Sequence, residues 1–144
     1  MPPHRKAVKR YMPANRHMFK FIATLLVILT VSCSLLGDGE NTLIKKTANS
    51  GQTKTAFLFM RESGATVADS YQVTVTDADK DFDKKAPGNA FTVDTDHGAT
   101  KLDSSSINLT WLTEDKLQID YDKKLRTFVK ETKVNGVTVI YNPR

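Results

Sequence analysis

Two kinds of apolar spacing divide this chain. Phe21 to Ser32 (FIATLLVILTVS) is a single apolar run broken only by threonine and serine. From Lys54 onward apolar and polar residues alternate with a period of two, the spacing of half-buried strands. Thr55 to Arg61 (TAFLFMR) is apolar in both phases and predicts a central strand. Tyr71, Val73 and Val75 alternate with Gln72, Thr74 and Thr76, and Phe91 and Val93 with Thr92 and Asp94. Ile107, Leu109 and Trp111, then Leu117, Ile119 and Tyr121, flank a turn at Thr113-Glu114-Asp115. Phe128 to Val134 and Val137 to Tyr141 flank Asn135-Gly136. Asn-Gly between such runs predicts a type I′ hairpin, whose two central residues take φ > 0; glycine would serve equally at Asn135. No window of ten or more residues carries an amphipathic helical pattern. The prediction is an all-β domain, a small, mostly antiparallel meander of six or seven strands pairing in sequence order. It closes as a sandwich or a partly open barrel, because a flat sheet of this size would leave an apolar face in water.

The apolar run has Lys20 before it and Cys33-Ser34 after it. A positive n-region, an apolar h-region and a small residue at the cut make a secretory leader. A cysteine directly after the small residue resembles the bacterial lipoprotein signal, in which that cysteine is lipidated and becomes the mature N-terminus. Val31 and Ser32 fit the positions before the cysteine, while Thr30 stands where the pattern has Leu, Val or Ile. The resemblance implies a signal peptide over 1–32, acyl chains such as palmitate on Cys33, and a lipid-anchored protein on the extracytoplasmic side of the cell membrane or outer membrane. An ordinary secretory leader and an uncleaved anchor are the alternatives. The apolar stretch Phe21 to Leu36 is 16 residues, short of the roughly 17–25 that span a bilayer. Met18 offers a second, more compact start.

Cutting at Cys33 changes the charge. The chain carries 21 Lys and Arg against 16 Asp and Glu, net +5. Six of the basic residues (Arg5, Lys6, Lys9, Arg10, Arg16, Lys20) and none of the acidic ones precede Cys33. From Cys33 on, 21 less 6 leaves 15 basic against 16 acidic residues, so the argument for nucleic acid from a basic chain disappears. Cys33 is the sole cysteine, which excludes an intramolecular disulfide. Ser34 to Gln52 (SLLGDGENTLIKKTANSGQ) is polar and aperiodic and reads as a tether, with Leu43-Ile44 able to dock. The organisation expected is therefore 33–52 as lipidated cysteine and flexible tether, and 53–144 as one β domain.

Several motifs stand in a set order: Arg61-Glu62-Ser63-Gly64-Ala65-Thr66, Tyr71-Gln72-Val73, Gly88-Asn89-Ala90-Phe91, Thr110-Trp111-Leu112 with Lys116 to Tyr121, and Val134 to Tyr141. Together they resemble a family of small bacterial proteins catalogued as domain of unknown function 5412, many with lipoprotein leaders, over Gly51 to Tyr141. Val67 and Asn49-Ser50-Gly51-Gln52 depart from that family's pattern. The resemblance implies a location and a fold, and no activity.

Candidate chemistry is sparse. Asp77, Asp79, Asp81 and Asp83 alternate, but the glycine and glutamate that a calcium loop needs are replaced by Phe82 and Gly88, so a solvated loop is expected and no metal site. His97 is the one histidine after Cys33 and reads as a turn residue; a triad with Ser104 to Ser106 lacks a nucleophile elbow. Gly64 between two strands could free backbone N–H groups for an anion, with Arg61 and Thr66 beside it. The ligand-binding candidates are thus Arg61, Gly64 and Thr66, the lipid-attachment residue is Cys33, and no catalytic residue or cofactor is expected. The functional expectation is a non-enzymatic protein–protein interaction or inhibitor module with an envelope protein partner and no nucleic acid. The alternative is a small-ligand or glycan-binding lipoprotein, which an apolar pocket and an exposed Trp111 or Tyr71 would favour. A hydrolase comes third.

Overall fold

The computed structural model describes residues 39–62, 68–103 and 105–144. Cys33 and the leader lie outside the described residues. Nine strands follow one another among them: β1 (Asn41–Ala48), β2 (Lys54–Arg61), β3 (Ser70–Asp77), β4 (Phe91–Asp94), β5 (Ile107–Thr113), β6 (Lys116–Tyr121), β7 (Arg126–Lys130), β8 (Lys133–Val134) and β9 (Val137–Pro143). They form two sheets, ordered β1-β2-β3-β4-β7 and β5-β6-β9-β8. The all-β expectation holds, as an open sandwich rather than a barrel.

The period-two pattern builds the core. Ala56, Leu58, Tyr71, Val73, Val75, Phe91 and Val93 from the first sheet pack against Ile107, Leu109, Leu117, Ile119, Val137 and Val139 from the second. Among the described residues, every buried side-chain nitrogen or oxygen has a hydrogen-bond partner.

Three features differ from the sequence expectation. First, Asn41–Ala48 is a strand, so the β domain begins there and not at residue 53, and the flexible tether does not run through 41–48. The reason is β2, whose two sides both need ladder partners; β3 takes one and β1 the other. An edge strand reads as polar and aperiodic because only Ile44 reaches the core, while Leu43, Lys45 and Lys46 face solvent around a bulge.

Second, the aspartate-rich segment is not simply solvated. Residues 78–90 cross the outer face of the first sheet, where Phe82 lies 5.5 Å from Phe57 and 5.3 Å from Phe59 between ring centroids. This explains why TAFLFMR is apolar in both phases. Asn89 pairs its side chain with the backbone of Val75 at 2.9 Å both ways, and Gln72 accepts from Gly88 N at 2.7 Å. A Cβ on Gly88 would stand 2.9 Å from Gln72 Cβ and from Val73 O, so only glycine permits this approach.

Third, the run Phe128 to Val134 is not one strand. The chain leaves the first sheet after Lys130 and enters the second at Lys133, which places β9 parallel to β6 rather than in a meander. Aromatic packing holds this corner. Tyr141 donates to Ala90 O at 2.9 Å and Glu131 O at 2.7 Å. Lys130 Nζ lies over the rings of Tyr121 and Tyr141, 5.3 and 5.0 Å from their centroids. At the opposite seam Trp111 Nε1 donates to Thr47 O at 3.2 Å, joining β5 to β1.

Candidate functional site

One end of the sandwich brings several strand ends together. There β2 stops at Arg61, β3 starts at Ser70, β4 stops at Asp94 and β7 starts at Arg126. In the second sheet β5 starts at Ile107 opposite Tyr121. The segment 95–106 runs from one sheet to the other.

Its beginning is a tight turn. Asp96, His97 and Gly98 have φ of 48, 58 and 86°, three left-handed residues in succession. Asp94 Oδ1 accepts from Asp96 N at 2.8 Å and Thr95 Oγ1 from Gly98 N at 3.0 Å, which holds this conformation. Asp94 itself is only 3% exposed. It faces Arg126 across the ladder and receives Nε at 3.1 Å and Nη2 at 2.5 Å, a bidentate pair. Those bonds hold the Asp94 carboxyl below the ordinary carboxylate range. Arg126 also reaches Asp96 at 3.2 Å and lies 4.8 Å above the Phe128 ring centroid.

The far part of the segment is built on short side chains. Asp103 accepts from Ser105 N at 2.8 Å and from the hydroxyls of Ser105 and Ser106 at 2.7 and 3.2 Å. These bonds lower its pKa, so it is ionised and already engaged. Asp122 accepts from Lys124 N at 2.9 Å.

Two clefts open between these loops. The smaller, about 380 Å³, is lined by Met60, Tyr71 and Leu102 together with Asp69, Thr95, Gly98, Thr100 and Lys101. Burial, and then the Asp103 charge, raise the Tyr71 pKa, so its hydroxyl stays protonated. The larger, about 720 Å³, is lined by Lys101, Lys123, Lys124 and Arg144, the turn carboxylates Asp103 and Asp122, and Ala99, Thr100, Ser105 and Ser106. Thr100 and Lys101 line both. Volumes of this order are those of small-molecule sites.

The expected site residues fall differently. Arg61 ends β2, and its Nη1 donates to Lys85 O at 2.7 Å and Asn41 Oδ1 at 3.2 Å, which braces the 78–90 loop. Gly64 and Thr66, like Cys33, lie outside the described residues. His97 approaches Arg126 at 3.4 Å, the Ser105 and Ser106 hydroxyls turn to Asp103, and Ser104 lies outside the described residues. Asp77 is paired with Lys54 at 2.5 Å, and Asp83 caps Lys85 N and Ala86 N at 2.8 and 3.1 Å. Among the described residues no three His, Cys, Asp or Glu side chains converge as metal ligands. Trp111 is half-buried in the β1–β5 seam, whereas Tyr71 lines a cleft. Lys101, Lys123, Lys124 and Arg144 escaped the sequence reading, since scattered loop lysines carry no periodic or motif signal.

No protein-family model, no curated protein and no solved structure matches this chain.

Proposed function

We propose that this protein is an exported binding protein of the cell envelope, anchored through lipid on Cys33, that takes a small ligand at the loop-bearing end of its sandwich. The observation that carries the binding reading is the cleft of about 380 Å³ in which Met60, Tyr71 and Leu102 stand beside Asp69, Thr95, Thr100 and Lys101. The groups at this end are ammonium, guanidinium and phenol, with Asp103 and Asp122 bonded within their own turns and Asp69 in the smaller cleft. The leader supports the address, and the resemblance to the small bacterial lipoproteins agrees with it. Cys33 to Asn41 is eight residues of chain, which reach at most about 28 Å.

The interaction-module reading keeps one specific observation. Phe128, 58% exposed, stands on β7, an edge of the first sheet. A partner strand or an apolar pocket would find it there.

Two measurements test the proposal. Wild type fed a labelled fatty acid should become marked, and Cys33→Ala should lose the mark and either leave the membrane or accumulate as precursor; an unmarked wild type overturns the anchor. A small-molecule adduct should accompany the wild-type chain in native mass spectrometry after gentle extraction and be absent from Leu102→Trp, which fills the cleft. A wild type that carries none, and takes up none from a lipid extract of its own envelope, overturns the binding reading.

A further inference from the structure

The larger cleft is unusual in its charge. Its four cationic side chains face two carboxylates, and both carboxylates are bonded within their own turns. The described residues contain ion pairs for Lys54, Lys80, Lys84 and Arg126, and none for Lys101, Lys123, Lys124 or Arg144. Lys101, Lys123 and Lys124 are exposed, so no desolvation cost opposes their charge. Four cationic side chains against two carboxylates leave this lining net positive, and an anion placed nearest the lysines is attracted to it.

The neighbouring cleft has the opposite character. Met60 and Leu102 are partly buried hydrophobics that pack on the core, and the Tyr71 ring is buried between them and β4. Asp69 stands at its rim. Thr100 and Lys101 belong to both linings, so the apolar cleft and the cationic one are adjacent along a single stretch of chain. A neutral sugar would leave the lysines unused, and an inorganic anion would leave the apolar cleft unused.

We infer that the two clefts form one site for an amphiphile with an anionic headgroup, its apolar chain against Met60, Tyr71 and Leu102 and its carboxylate or phosphate among Lys101, Lys123 and Lys124. This rests on the ligand-binding reading and names the ligand class for that same site. It is independent of Cys33.

Photocrosslinking on membranes bearing the full chain tests it. Three probes carry the same diazirine-bearing sixteen-carbon chain: a fatty acid, a lysophosphatidate and the neutral alcohol. The readout is labelling of the peptides that contain Tyr71 and Leu102. Each exposed ion contact contributes modestly, so the lysines together should favour the anionic probes by about tenfold over the alcohol. Lys123→Glu with Lys124→Glu should reduce the anionic probes to the alcohol's level, and Lys123→Gln with Lys124→Gln should do so partly. The better of the two anionic probes identifies the headgroup as carboxylate or phosphate. Equal labelling by all three probes overturns the inference and leaves the ligand-binding reading standing. Labelling of neither peptide by any probe overturns both.

Discussion

Asn135 and Gly136 have φ of 51 and 79°, the pair of left-handed residues that a type I′ turn requires. A Cβ on Gly136 would meet nothing within 4 Å, so Gly136→Val is opposed by backbone strain alone. We expect a loss of about 1–3 kcal/mol in urea denaturation. Asn135 does more than the turn asks: its Nδ2 donates to Val75 O at 3.1 Å and ties the hairpin to the other sheet. Asn135→Gly should therefore cost about 0.5–1.5 kcal/mol, the scale of one hydrogen bond, where the turn alone predicts almost nothing. The pair Asp94–Arg126 sets a pH dependence. The folded pKa of Asp94 is depressed, chiefly by its bonds to Arg126, so its contribution is complete above the unfolded value and is lost as pH falls through the folded one. Asp96 and His97 also face Arg126, but at the exposed side. Asp94→Asn should lower the urea midpoint at pH 7, and the gap from wild type should close as pH drops below about 4. An unchanging gap would mean that Asp94 is not held as a carboxylate by Arg126.

Among the elements, β2 was the most legible and β1 the least. TAFLFMR is apolar in both phases, and the structure covers both faces, one with the second sheet and one with the 78–90 loop. In sequence the loop reads as solvated because one phenylalanine among three aspartates and three lysines gives no period. Phe82 makes it a lid on the sheet. Phe82→Ala should uncover Phe57 and Phe59 and cost about 2–3 kcal/mol, less than the 3–5 of a fully buried ring because Phe82 is half-exposed. A variant as stable as wild type would show that the loop is held by its backbone bonds to Asn41, Arg61 and Gln72 without the ring. β1 hides in a tether-like composition for the reason that edge strands do, since one side of its ladder and one of its faces meet water.

At the scale of the molecule the two sheets share one core, and the chain changes sheet between β4 and β5, β6 and β7, and β7 and β8. Neither sheet buries its apolar face without the other, which predicts a single cooperative unfolding transition. Trp111 is the one tryptophan and bonds to β1 from β5, so its fluorescence reports the seam between sheets, while far-ultraviolet circular dichroism reports the strands. In a Ser34 to Arg144 fragment the two midpoints in urea should coincide, over a β-type spectrum. Separate midpoints would overturn the shared core, and helix above about a third would overturn the fold.

Local chemistry alone determined the β class, the positions of seven of the nine strands to within a few residues, and the Asn135-Gly136 turn. Each of these depends on neighbours along the chain: side chains alternate every two residues, and Asn-Gly accepts positive φ. Tertiary structure decided the rest. The corner at Glu131 depends on Tyr141 and Ala90, ten and 41 positions away, and it alone sets β9 parallel to β6. Arg61 braces a loop because Asn41 and Lys85 meet it from distant segments. The clefts are voids between loops that close only when both sheets are in place, so Lys101 comes to line the same cleft as Lys123 and Lys124 through packing, a relation that no spacing along the chain encodes.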